Sequence, residues 1–181
     1  MSDVFTKAKR SEVMSRIRSR GNKDTEIALA KLFRRHGITG WRRHLKLRVT
    51  GGKWHVTRKA RASVPSPVTR HLSLAVRPDF VFRKQRTAIF VDGCFGHGCP
   101  KHATQPKNNR AFWQRKLSAN KTRDRLVTRA LRRAGWRVLR IWEHELAKIK
   151  TASTPHPGPL PDRGGEGAEA RLLNRIRRVL D

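Results

Sequence analysis

Acidic side chains are scarce in this chain: 13 Asp and Glu stand against 43 Lys and Arg in 181 residues, a formal charge of +30. That shortage excludes ordinary solubility as the reason for the charge, because small domains carry far smaller net charges. Such a chain repels itself unless it meets a polyanion, so nucleic acid is the leading partner. Long apolar runs are missing too, and no signal peptide is legible. Their absence excludes a membrane span and points to a soluble, cytoplasmic protein. Cysteine occurs only twice, at Cys94 and Cys99, which rules out a disulfide framework. A lone bond between those two does not suit a reducing cytoplasm, so metal binding or redox chemistry is the natural use of the thiols. Apolar residues make up 36%, low but enough for one domain with a real core.

What is present reads as strands mixed with helices. Residues 1–23 form a basic arm without a strong apolar period. The stretch 24–36, "DTEIALAKLFRRH", predicts a helix capped by Asp24 or Thr25, with Ala28, Leu29, Leu32 and Phe33 on one face and Gly37 as its stop. Residues 48–76 are basic and lack a clear period; a hairpin, a DNA-contacting loop and a disordered insertion all fit. The short apolar runs 79–83 and 87–92 read as an antiparallel pair. A long helix follows over 109–134, with Leu126, Val127, Ala130, Leu131 and Ala134 on its apolar face and Gly135 at its end. "WRVLRIW", 136–142, reads as a strand buried at the sheet centre. The Pro- and Gly-rich stretch 151–167 reads as a linker, and 168–180 as a last helix with Leu172, Leu173, Ile176, Val179 and Leu180 on its apolar side. These elements make one α/β or α+β domain.

Only three acids lie between residues 27 and 142: Asp79, Asp92 and Asp124. Asp79 begins one predicted strand and Asp92 ends the next, so antiparallel pairing brings both carboxylates to one sheet edge. Hard oxygen ligands there suit Mg²⁺, which neutralises developing charge on a phosphodiester and activates water. Cys94, His97, Cys99 and His102 are spaced C-x2-H-x-C-x2-H, a donor set that suits tetrahedral Zn²⁺. His144, in "WEHEL", is a further candidate ligand. On spacing alone His97 is either a zinc ligand or a general base.

The series "RSEVMSRIRSRGNKDTEIALAKLF", "RPDFVF", "AIFVDGCFGHGCPKH", "FWQRKLSANKTRD" and "GWRVLRIWEHEL" resembles the very short patch repair (Vsr) endonucleases, across roughly residues 3–47 and 77–148. The resemblance implies a restriction-endonuclease-like α/β fold, a central mixed β-sheet flanked by helices, with a structural zinc. It implies a Mg²⁺-dependent enzyme that nicks one DNA strand 5′ to the thymine of a T:G mismatch left by deamination of 5-methylcytosine. It assigns Asp79 as catalytic aspartate and Mg²⁺ ligand, Val91 as a backbone-carbonyl ligand, and Asp92 as a residue next to the metal. His97 falls at the water-activating histidine, Glu26 at an acid supporting that histidine or a metal-bound water, and Asp124 at a further acid of the site. The implied zinc ligands are Cys94, Cys99, His102 and His144. Met14 and Phe95 match residues that wedge into the DNA stack beside the mispair. Implied partners are duplex DNA with a T:G mismatch and mismatch repair proteins; the expected setting is a monomer in the bacterial cytoplasm, associated with the nucleoid.

The chain departs from the family pattern in three places. Gly96 stands where a wedging tryptophan is expected. Residues 48–76 resemble an insertion within a 1–148 nuclease domain, and 149–167 a linker before the helix at 168–181. These departures leave a second expectation, a zinc-stabilised DNA-binding relic without activity. The arginine content also permits an RNA-binding or ribosome-associated protein, which leaves the clustering of acids and zinc residues without a purpose.

Overall fold

The structure, a computed structural model, describes residues 25–50, 53–56, 74–104, 109–152 and 164–181, together with Thr6, Lys9, Glu12 and Pro106. Most of the basic arm, with Met14, and residues 57–73 lie outside the described residues. Helix α1, Glu26–Arg35, buries Leu29, Ala30, Leu32 and Phe33. Thr25 stands at its N-cap position without a side-chain hydrogen bond, and its first turn carries Glu26. Gly37 ends the helix at φ 64°, with Ile38 N–H donating to the Phe33 carbonyl at 2.8 Å, so the stop is the left-handed turn that glycine favours.

Strands β1 (Trp41–Arg43), β5 (Phe80–Phe82), β6 (Thr87–Asp92) and β7 (Arg137–Trp142) form a four-stranded mixed sheet in the order β1-β5-β6-β7. β1, β5 and β6 pair antiparallel, as expected for 79–83 and 87–92, while β7 runs parallel to β6. Parallel pairing needs a crossover, and helix α2, Arg110–Arg133, supplies it. Strands β2 (Leu47–Thr50), β3 (Lys53–Val56) and β4 (Leu74–Val76) form a second, antiparallel sheet in the order β3-β2-β4. Of the alternatives for residues 48–76, the hairpin is therefore the one that the described part adopts.

Alternation along β5 and β6 sorts side chains to the two faces of the main sheet. Phe80, Phe82 and Ile89 join Leu29, Phe33, Leu139, Ile141 and Ile176 in one core with α1, helix α3 (Glu143–Ala152) and helix α4 (Gly164–Leu180). Val81 and Ala88 face the other way, onto Leu131, Ala134, Trp136 and the second sheet's Leu47, Val49 and Val76. Within the first core Phe33 meets Phe80 and Phe82 edge-on, centroids 5.1 and 5.6 Å apart.

Three expectations change. β7 is an outer strand rather than the centre of the sheet. It reads as buried because α4 packs over it: Arg175 Nη2 donates to the Arg140 carbonyl and Arg137 Nη1 to the Val179 carbonyl, at 3.1 Å each. Leu126, expected on the packed face of α2, is 53% exposed. The last helix begins at Gly164 rather than 168, and α3 runs on to Ala152, so both ends of the supposed linker belong to helices.

Candidate active site and metal centre

One end of the main sheet gathers the chemistry. β5 follows Asp79 and β6 ends at Asp92, and the antiparallel pair brings these termini together. Val91 N–H donates to Asp79 Oδ2 at 2.7 Å, which fixes that carboxylate against β6. Glu26 arrives from the first turn of α1 and is 6% exposed. Its Oε2 accepts from Arg43 Nη2 at 2.5 Å and lies 2.9 Å from His44 Nε2. Glu26, His44 and Asp79 each place a ligand atom within 4.8 Å of the others. Burial, above all, and the Glu26 charge push the Asp79 carboxyl up from an ordinary 3.8 to about 6, against the Val91 N–H that favours its charged form.

Asp92 stands beside this cluster and is engaged otherwise. Arg140, two residues before the end of β7, grips it with two bonds: Nε to Oδ2 at 2.6 Å and Nη2 to Oδ1 at 2.7 Å. The same Nη2 reaches Asp124 Oδ1 on α2 at 3.0 Å. Parallel register places Phe90 opposite Arg140 and Asp92 on the same face, and the guanidinium also lies 5.0 Å from the Phe90 ring centroid. Burial works against the charged guanidinium, but Asp92 and Asp124 outweigh it and push its pKa up. His97 Nδ1 lies 2.6 Å from the other oxygen of Asp124 and 3.6 Å from Asp92 Oδ1. Asp124 thus holds the imidazole from Nδ1, leaving the opposite nitrogen, Nε2, outside this contact.

The loop that carries His97 is pinned on both sides. Asn120 Nδ2 donates to the Gly96 carbonyl at 2.8 Å, and Gly98 adopts φ 62°, where a Cβ would stand 2.3 Å from Lys121 Cε. Phe95 packs edge-on against Trp113, 5.0 Å between centroids, and Trp113 against the half-exposed Phe112 at 5.4 Å. Lys116 Nζ stands 5.0 Å from the Trp113 ring, so aromatic and cationic groups share one surface. A Cβ at Gly96 would meet nothing within 4 Å.

A second cluster joins Cys94, Cys99, His102 and His144, whose ligand atoms also lie within 4.8 Å of one another. Three come from the loop after β6 and His144 from the start of α3. Cys94 Sγ is 3.3 Å and Cys99 Sγ 3.7 Å from His144 Nδ1, and Cys99 Sγ is 3.9 Å from His102 Nδ1. Burial, offset in part by the His144 backbone N–H, pushes the Cys94 thiol up, and the adjacent Cys99 adds to the rise. Two sulfurs and two imidazoles converging this closely fit Zn²⁺, whose charge would favour the thiolates.

Every site residue expected from the sequence within the described region therefore falls in one of these two clusters, in the Asp92–Asp124–His97 group between them, on Val91 against Asp79, or on the Phe95 surface. His44, Arg140, Arg43, Asn120 and Trp113 were not expected. Arg140 had a readable signal, a charge inside the apolar run "VLRIW". His44 had almost none, since β1 has three residues and two of them are arginine.

A family model described as "DNA mismatch endonuclease Vsr" matches residues 69–105, which hold Asp79, Asp92 and the Cys/His loop. Type II nicking enzyme V.NmeDIP of Neisseria meningitidis serogroup C is 33% identical over 151 residues, 82% of this chain and 83% of that protein. The chain belongs to the Vsr family. DNA mismatch endonuclease Vsr of Escherichia coli K12 is 34% identical over 146 residues, 79% of this chain and 74% of its own length. Type II nicking enzyme V.NaeI of Lentzea aerocolonigenes reaches 54% identity, over 70 residues that cover 39% of this chain and 42% of the relative. No helix among the described residues is long and apolar enough to cross a membrane.

Proposed function

We propose that this Vsr-family chain is a DNA mismatch endonuclease that nicks one strand 5′ to the thymine of a T:G mispair arising from deamination of 5-methylcytosine. The observation that carries the reading is the meeting, at one end of the main sheet, of a carboxylate cluster at Asp79 with an Asp124-held histidine. Asp79, with the Val91 carbonyl and Glu26 nearby, holds a divalent ion of the Mg²⁺ class. When bound, that ion supplies charge neutralisation at the phosphodiester and a more acidic water. His97, held at Nδ1 by Asp124, accepts the proton of the attacking water at Nε2. Asp92 and Arg140 keep Asp124 in place. Cys94, Cys99, His102 and His144 hold a structural Zn²⁺ in a restriction-endonuclease-like frame. Phe95 enters the DNA stack, with Met14 from the arm as its counterpart. The charge of +30 supplies the affinity for the DNA backbone.

The test compares a duplex carrying one T:G mispair with its T:A counterpart, with and without Mg²⁺. A Mg²⁺-dependent nick confined to the T:G duplex and abolished by Asp79→Ala is expected. A folded, zinc-loaded chain that makes no such nick would overturn the assignment. Gly96 favours a second reading, a zinc-stabilised DNA-binding protein that does not cut. Mismatch binding without cleavage, unchanged by Asp79→Ala, would support it.

A further inference from the structure

Resting on the reading of Asp79 as the metal-holding carboxylate, we propose that His44 is a direct ligand, through Nε2, of the divalent ion held with Asp79 and Glu26, and that this nitrogen donor makes the site favour Mn²⁺ or Co²⁺ over Mg²⁺.

Three independent observations lead there. The first is placement: His44 Nε2 and one oxygen each of Glu26 and Asp79 lie within 4.8 Å of one another, close enough for one ion to reach all three. The second is backbone conformation. His44 sits at φ 52°, a left-handed geometry that a residue with a Cβ adopts at a cost. Its own N–H holds this turn by donating to the Asp79 carbonyl at 3.2 Å. The chain leaves β1 at this turn, and the imidazole is carried to the carboxylates. The third is charge. Arg43 already gives Glu26 Oε2 a cationic partner at 2.5 Å, so His44 is not required as its counterion. Glu26 and Asp79 with Arg43 leave one net negative charge. A divalent ion and one DNA phosphate bring that sum to zero.

Donor type then sets the preference. An all-oxygen site suits Mg²⁺, whereas an imidazole nitrogen shifts preference toward later first-row ions. Coordination needs the Nε2 lone pair, with Nδ1 carrying the proton, and replaces the present 2.9 Å contact to Glu26.

The experiment uses the zinc-loaded full chain and Mn²⁺ as the probe, read by pulsed electron paramagnetic resonance and by calorimetric titration against Mg²⁺. Wild type is expected to show a nitrogen hyperfine coupling from bound Mn²⁺, changed by ¹⁵N-histidine labelling, and to bind Mn²⁺ about tenfold or more tighter than Mg²⁺. His44→Gln keeps a hydrogen-bond donor for Glu26 but is a poor ligand. It should lose the coupling and about tenfold in Mn²⁺ affinity, with a much smaller change for Mg²⁺. Wild type without the coupling, or His44→Gln with coupling and Mn²⁺-to-Mg²⁺ ratio intact, would overturn the proposal. Asp79→Ala separates the two levels. Mn²⁺ binding that survives this change removes the underlying reading of the site. Binding that needs Asp79 but shows no nitrogen coupling removes only His44.

Discussion

Single side chains decide whether this site is assembled. Arg140 is the clearest case, because one guanidinium holds Asp92 with two bonds and Asp124 with a third. Without it two carboxylates face each other, with Asp92 almost fully buried. Arg140→Gln should destabilise the fold by about 3 kcal/mol, the low end for a broken buried pair because Arg140 is partly exposed. It should also lower kcat by roughly 10²-fold, the loss expected when a general base is no longer held, with a smaller change in KM. Arg140→Lys should recover part of both; single-turnover kinetics and thermal melts check this. Asp79 gives a dependence on pH. Its folded value of about 6 lies above the ordinary 3.8. A raised carboxyl stabilises the metal-free fold at low pH, and this contribution is lost as pH rises through about 6. Metal-free wild type should therefore lose stability relative to Asp79→Asn as pH rises from 4 to 7, which paired melting curves measure. Metal binding at the proposed Asp79 site should run the opposite way, weakening as pH falls through about 6 and the proton competes for the carboxylate. At this scale the sequence was informative about acids, because Glu26, Asp79, Asp92 and Asp124 stand out in so basic a chain. It was silent about which acid would be engaged by which base. The Asp92–Arg140 pair depends on the parallel register of β6 with β7, 48 residues apart, and nothing local to either strand encodes that pairing.

Elements with a strong period were legible. α1, α4 and the β5–β6 pair follow the apolar spacing closely, since each packs one face on a core, and α2 does so at Leu131 but not at the half-exposed Leu126. β7 was recognised as a strand but misplaced within the sheet. α4 covers Leu139 and Ile141, which are buried although β7 is an outer strand, so the apolar run carries little mark of its edge. That cover makes α4 a structural necessity. Ile176 is fully buried against β7 and α3, and Ile176→Ala should destabilise by about 2–5 kcal/mol, measurable by denaturant titration. Among loops, the 93–102 segment invites the opposite kind of change. Gly96 has open space before its missing Cβ and a φ outside the left-handed range. The Cβ of a tryptophan there would meet no neighbour within 4 Å, and Phe95 precedes it in the chain. Gly96→Trp should tighten binding to a T:G duplex by about tenfold over T:A, consistent with ~1–3 kcal/mol for base–aromatic stacking. Competition binding at fixed salt reads the effect, and an unchanged T:G to T:A ratio would show that the loop does not meet the mispair.

For the molecule as a whole, the Cys/His cluster outranks any single helix. Cys94→Ser, or prolonged treatment with a strong chelator, should unfold the domain rather than only slow nicking, because structural zinc contributes folding free energy. Circular dichroism with metal analysis checks it; a normally melting mutant with stoichiometric zinc would argue against these ligands. Polymer physics gives the cluster a further meaning. Cys94 and His144 are 50 residues apart in the chain, and α2 and β7 both lie between them. A bridge of that span acts as a cross-link, removing from the unfolded ensemble a ring-closure entropy worth roughly 4 kcal/mol, if the disulfide relation applies to a metal bridge. Inside that ring lie Asp124, Asn120 and Arg140, the residues that position His97. One coordination event at this cluster would therefore shrink the conformational search for His97 and its supports together, so zinc occupancy should set how fast the folded site is reached as well as how stable it is.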